Sequence, residues 1–292
     1  MIRYAFEVAT LRDRIRQLSS TWLERAAERT RTFRDLGHYA EQGPIWSDVK
    51  RAYMEIQGHK CMYCERSRPD LIDVDVEHFR PKGNIGQWPV PPALASEGVV
   101  CTPVPAPSRG YHLLPYHLLN YGAACKQCNT PFKSDHFPIA GAYQCDGDDP
   151  ASMAGEQPFL IYPLGDLDAD PETLIGFCGF SPVALPPFGH ERRRALVTIA
   201  FFALGDPERR KDLFLERAVI LMALYPQLVE SRSGTGTERE AAADAVRALT
   251  ASDRPHTNCA RSFRRLFDAS PDEAKAHYEA ARAYFSSSSK RC

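Results

Sequence analysis

The chain has 292 residues, of which 43% are hydrophobic and 25% charged, with a formal net charge of −1; this is ordinary for a globular protein with a real core and excludes disordered or fibrous classes. No apolar run approaches the length of a bilayer span, and the N-terminal MIRYAFEVATLRDR lacks an apolar secretory core, so a cytoplasmic protein with no membrane partner is expected. The near-zero charge argues neither for nor against a nucleic-acid partner: any such grip must be local, or shared with another protein.

In chain order, residues 9–36 read as helix, with Leu11, Ile15, Leu18, Trp22, Ala26, Phe33 and Leu36 mostly at three- and four-residue steps. A second amphipathic helix runs from about Trp46 to Ile56, with Gly58 as its stop. From Lys60 to about Pro138 the chain turns rich in Cys, His, Pro and aromatics. Within it, Leu71–Glu77 alternates Ile72, Val74 and Val76 against Asp73, Asp75 and Glu77, which is strand periodicity. Residues 84–110 carry six prolines and read as an inserted loop outside the core. Residues 144–176 hold eight Asp or Glu and no Lys or Arg. They read as a solvated acidic loop, with partner binding or occlusion of a DNA groove as alternatives.

Helical patterns return at about 190–204, 208–229, 237–250 and 271–285, and the tail SSSSKRC reads as disordered. The expected class is α+β and mainly helical, divided as 1–58, 59–140 and 141–292. Three basic clusters (Arg192, Arg193 and Arg194; Arg209, Arg210 and Lys211; Arg261, Arg264 and Arg265) either touch phosphate or are solvated helix faces.

Nine cysteines is an odd count, and in a reducing cytosol paired cysteines suggest metal before disulfide. Cys61 and Cys64 form one Cys-x-x-Cys knuckle, Cys125 and Cys128 another. A two-residue spacer lets both thiolates of a knuckle reach one ion, and two knuckles complete the tetrahedral sulfur shell of a structural zinc. A redox pair is the alternative, but neither knuckle sits in a βαβ pattern. Cys101, Cys145, Cys178, Cys259 and Cys292 have no paired spacing and read as ordinary buried or surface residues.

Between the knuckles, VEHFRPK places Glu77 and His78 at the end of the alternating strand. Asn120 precedes the second knuckle, Asn129 follows it directly, and Lys133 comes four residues later. His112, His117 and His136 lie nearby without ligand spacing. Hydrolysis of a phosphodiester needs an activated water and a cation to neutralise charge on the leaving oxygen. A histidine titrating near neutrality suits the first task. A carboxylate and an amide oxygen are hard ligands suited to magnesium, unlike the neighbouring cysteines.

This order of knuckle, acidic–His pair, Asn, knuckle, Asn and Lys resembles the HNH endonucleases. The strings WSDVKRAYMEIQGHKCMYCE, EHFRPKG, YHLLPYHLLN and CNTPFKSDHFP resemble one subfamily, the nuclease subunits of Septu-type antiphage systems and retron-associated effectors. The likeness covers about Trp46–Pro138 and continues loosely through FLIYPLGDLDADPETLIGF; the stretch 84–110 looks longer than usual for the group. The resemblance implies a zinc-stapled ββα-metal module. In it His78 would be the general base, and Glu77 and Asn129 would ligate one divalent ion, magnesium. Asn120 would stitch the loop between strands, and Lys133 would contact phosphate. Asp75 is an alternative carboxylate, and Asn129 is otherwise a helix cap. The resemblance also implies a partner ATPase of the ABC or SMC-like class, and this chain has no Gly-rich loop ending in Gly-Lys-Ser/Thr. DNA is the expected substrate. RNA such as tRNA, and a non-catalytic zinc-stabilised adaptor of an ATPase, are the rivals.

Overall fold

The structure, a computed structural model, describes residues 1–41 and 43–289. It is α+β and about half helical, with two small two-stranded sheets. The single N-terminal helix expected over 9–36 is two helices, α1 (Val8–Leu18) and α2 (Trp22–Leu36). The break falls at Ser19–Ser20–Thr21, where hydroxyl side chains compete with helical backbone bonding. Trp22 is fully buried at the start of α2 and donates its indole N–H to the Ile45 carbonyl at 2.8 Å. Gly37 ends α2 at φ +69°, a left-handed conformation that glycine adopts without penalty. A 3₁₀ turn over Trp46–Val49 leads into α3 (Lys50–Ile56).

The strand expected over 71–77 is shifted. Residues Leu71–Asp73 form a 3₁₀ turn and β1 is Val74–His78. The Lys50 ammonium donates to the carbonyls of Leu71 (3.0 Å) and Val74 (2.8 Å), tying down the turn. Its antiparallel partner β2 is Tyr121–Cys125, in a register that sets Val74 opposite Cys125 and His78 opposite Tyr121. β2 is buried throughout, so it shows no alternation. A side chain at Gly122 would collide with the Met62 sulfur, so the buried Met62 side chain would have to shift to admit one. One π-helical turn, Cys128–Lys133, follows the strands.

Two expectations for the middle of the chain are corrected. The proline-rich stretch contributes to the core: Ile85, Leu94 and Val99 are buried, a short helix α4 (Pro92–Ala95) forms, and the Trp88 ring lies 5.2 Å from that of Phe201. Its prolines supply fixed turns between buried anchors.

The acidic segment is solvated only in part: Asp146, Asp148, Asp149 and Asp166 are exposed, whereas other carboxylates are held inside. Glu156 is fully buried, accepting from Arg80 Nε at 2.8 Å and from the Tyr111 hydroxyl at 2.6 Å. Asp168 receives the Arg194 guanidinium (2.8 Å) and the Tyr162 amide (2.9 Å), and Glu172 accepts from Arg261 at 2.6 Å. These carboxylates neutralise internal arginines and hold their segment against the core.

The remaining elements are α5 (Pro171–Leu174), a hairpin of β3 (Ile175–Cys178) and β4 (Ser181–Ala184), α6 (Gly189–Phe201), α7 (Lys211–Ser233), α8 (Gly236–Leu249), α9 (Thr257–Ala269) and α10 (Pro271–Ser289). Sequence periodicity missed the hairpin and α9. The buried face of α9 is built largely from small and polar residues, Thr257, Asn258, Cys259, Ala260 and Ser262, so it lacks an apolar stripe in its first turns. Ser286–Ser289, expected to be disordered, complete α10, whereas Lys290–Cys292 lie outside the described residues. One hydrophobic cluster extends from Met1 to Leu213, and a second joins α7, α8, α9 and α10. Among the described residues, no helix is long and apolar enough to cross a membrane.

Candidate functional site

The two knuckles converge. Cys61 and Cys64 lie on the turn after α3, Cys125 ends β2 and Cys128 opens the π-helical turn. All four sulfurs lie within 4.8 Å of one another in a buried pocket, with Cys64 and Cys125 3.8 Å apart. A tetrahedral zinc with bonds of about 2.3 Å sets its sulfurs about 3.8 Å apart, so the cluster could hold a structural zinc. Backbone bonds shape the first knuckle: the Cys61 amide donates to Arg66 O (3.0 Å), that of Met62 to Ala123 O (3.0 Å) and that of Glu65 to Cys61 O (3.0 Å). Burial pushes the Cys61 and Cys128 thiols well up, whereas hydrogen bonds from the neighbouring thiols, acting against burial, bring Cys64 down to about 6 and Cys125 lower still; four thiolates together in so dry a pocket would need a cation to offset their charge. Among the described residues no other group of three or more Cys, His, Asp or Glu comes close enough to hold a metal.

Arg210 supplies further positive charge. Its side chain is fully buried, with Nη1 and Nη2 at 3.7 and 3.8 Å from Cys128 Sγ, and Nη1 also donates to Phe202 O at 2.7 Å. The sequence offered Arg210 as a phosphate contact or a solvated residue, and it is neither. Zinc with four thiolates carries a net charge of −2, which a buried guanidinium partly offsets. Replacing Arg210 with methionine should weaken zinc retention about 10–100-fold, the usual effect of losing an outer-shell partner. Competition with a colorimetric chelator would measure it, and unchanged zinc affinity would contradict the role. The other clusters each send an arginine inward: Arg194 is buried against Asp168, and the half-buried Arg261 donates to Glu172, while Arg192 pairs with Glu97 at the surface.

Beside the sulfur cluster is a cleft of about 460 Å³ whose lining includes Glu77, His78, Lys82, Asn129, Thr130 and Ser134. The β1–β2 pair presents Glu77 and His78, and the π-helical turn presents Asn129. His78 is 7% exposed, its ring held edge-on by Trp46 (4.8 Å) and Tyr121 (5.0 Å). Its Nε2 lies 3.1 Å from the Pro115 carbonyl, which also accepts the Tyr121 hydroxyl. A carbonyl only accepts, so Nε2 carries the proton and Nδ1 keeps the lone pair. Burial, and then the positive charge of Lys82, hold the imidazole well below its ordinary pKa, so it is neutral at pH 7.

Glu77 is buried. Its Oε1 accepts from Tyr63 (3.3 Å) and pairs with the fully buried Lys133 ammonium (3.1 Å), which also donates to His78 O (3.3 Å). Both contacts fall on Oε1. Burial raises the Glu77 carboxyl against the pull of Lys133. Asn129 donates from Nδ2 to Asp75 Oδ2 at 3.2 Å, which leaves its Oδ1 as a free acceptor. It does not cap the turn, whose cap residue is Gln127.

Asn120 lies away from the cleft and is fully buried. It accepts from the Arg80 amide (2.8 Å) and donates to the carbonyls of Arg80 (3.0 Å) and Leu114 (3.1 Å), locking the chain after β1 to the loop before β2. His117 accepts from the Leu119 amide, and the His136 ring faces Gly86 O; neither ring lines the cleft. The sequence named neither Pro115 nor Lys82 for a role. The carbonyl partner of an imidazole has no sequence signature, whereas Lys82 stands in plain view in EHFRPK.

No family model matches the chain, and no solved structure matches it. The chain is similar to the Septu protein PtuB of Bacillus mycoides (strain KBAB4), with 26% identity over 193 residues. The match covers 65% of this chain and 56% of that protein, so the chain spans just over half the length of this relative. The likeness supports a relation to Septu systems.

Proposed function

We propose that this chain is a divalent-metal-dependent HNH endonuclease, the nuclease subunit of a cytoplasmic, Septu-type antiphage system, cutting phosphodiester bonds of DNA. The observation that carries this reading is one cleft lined by His78, Glu77 and Asn129 beside a four-cysteine cluster. In this reading His78 Nδ1 accepts a proton from water as its oxygen bonds to phosphorus and the bond to the leaving oxygen breaks. Pro115 fixes the tautomer. The donor set fits a hard cation: Glu77 Oε2 and Asn129 Oδ1 are oxygen donors, and the buried carboxylate gains from a positive charge. Magnesium held there would neutralise charge on the leaving oxygen. Asp75 positions Asn129, and Asn120 positions the loop that carries His78's neighbours. Lys133 neutralises Glu77 and is buried away from the cleft lining, so it meets substrate phosphate only if Glu77 releases it.

The near-neutral chain is expected to act with an ATPase partner that brings it to nucleic acid, raising local substrate concentration without new contacts in the cleft. Incubating the chain with magnesium, with and without the ATPase encoded beside it, against supercoiled plasmid and total RNA tests the proposal. Plasmid cleavage is expected. Cleavage of RNA alone would reassign the substrate, and cleavage of neither would leave a zinc-stabilised adaptor.

A further inference from the structure

We propose that Lys82 is the phosphate-gripping cation of the cleft, holding a nucleic-acid phosphodiester next to His78; this rests on the nuclease reading above. Lys82 is the sole Lys or Arg among the described residues that line the cleft. Lys133, the basic residue first expected to meet phosphate, is spent on Glu77. Lys82 is partly buried, and no described carboxylate lies within 4 Å of its ammonium, although Glu77, which lines the same cleft, attracts it from farther off. Its ammonium instead lies 4.7 Å from the Trp46 ring centroid and 6.0 Å from that of Tyr39. Aromatic faces compensate a lysine only in part, so its charge remains available to an anion.

The backbone beneath Lys82 is held rigidly. The Tyr111 amide donates to Pro81 O at 2.8 Å. Gly110, at φ +59°, lies so close that a side chain there would meet Pro81 O, Lys82 C and Gly83 N at 2.7–2.8 Å. Trp46 contacts both the Lys82 ammonium and the His78 ring, so one indole fixes the cation and the base relative to each other. A lysine anchored in this way is preorganised for an anion delivered beside the base, unlike a freely rotating surface lysine. The chain's net charge of −1 places added weight on such a local contact.

The test uses the full chain with Lys82→Gln, Lys82→Met and Lys82→Arg. Binding of a fluorescein-labelled 30-base-pair DNA duplex, and of an RNA of equal length, is measured without divalent ions across a salt series. Cleavage is measured with magnesium, and melting temperature and zinc content serve as fold controls. The expected result is that Gln and Met weaken binding of the cleaved nucleic acid and reduce the slope of log K against log salt by about one, the loss of one phosphate contact. Cleavage should fall mainly through KM, and Arg should restore most of both. A wild-type slope and wild-type cleavage in folded Lys82→Gln and Lys82→Met would overturn the proposal and leave the nuclease reading standing. Wild-type protein that neither binds nor cuts DNA or RNA would overturn both.

Discussion

Replacing His78 with alanine is expected to lower cleavage by about 10²–10⁴-fold, the usual cost of removing a general base. The Pro115 carbonyl accepts a hydrogen bond from Nε2–H, so Nδ1 is the one ring atom able to accept a proton from water. Burial keeps the ring neutral at working pH. The ring also packs against Trp46 and Tyr121, so alanine leaves a cavity, and the shape-conserving His78→Asn separates lost chemistry from lost packing. Both variants should keep their zinc. A folded variant that cuts as fast as the wild type would show that the base lies elsewhere.

The second large effect is on stability. Cys125→Ser should lose zinc and unfold the region between the knuckles. Apparent binding free energies of structural zinc in small peptides are about 10–16 kcal/mol, comparable to the whole stability of an ordinary domain, about 5–15 kcal/mol. Cys125 ends β2, and the Cys61–Cys64 turn is bonded to the same strand through Met62 and Ala123. Loss of one ligand therefore frees the strand that pairs with His78. Elemental analysis and thermal melting read both consequences. Freshly purified wild type without zinc, or a Cys125→Ser protein that melts as the wild type does, would contradict the assignment.

Much of the site was legible because its chemistry is carried by residue types at short, fixed spacings. The two cysteine pairs and the Glu77–His78 pair announce themselves in this way. What escaped was set by tertiary placement. β2 is covered on both faces, so YGAAC has no alternation to detect. The acidic segment looked solvated because its partners Arg80, Arg194 and Arg261 are remote in sequence. Arg210 looked like a surface cation for the same reason, since only the fold brings it to Cys128, 82 residues away. Prolines at 84–110 suggested a bare loop, yet Ile85, Leu94 and Val99 anchor it to the core. Ile72 fits the strand pattern of β1 but is 76% exposed, because the chain enters the sheet two residues later.

On the proposed reading two metals are separated by ligand softness, sulfur for zinc and oxygen for the ion that would support cleavage. Cleavage of supercoiled plasmid by the chain, with and without the proposed ATPase partner, titrated with magnesium while zinc content is followed, tests it most directly. The account predicts no cutting without added divalent ion, cutting that rises and saturates with magnesium, and a constant one zinc per chain. Cutting at full rate without added divalent ion, or no cutting at any magnesium concentration, would contradict it.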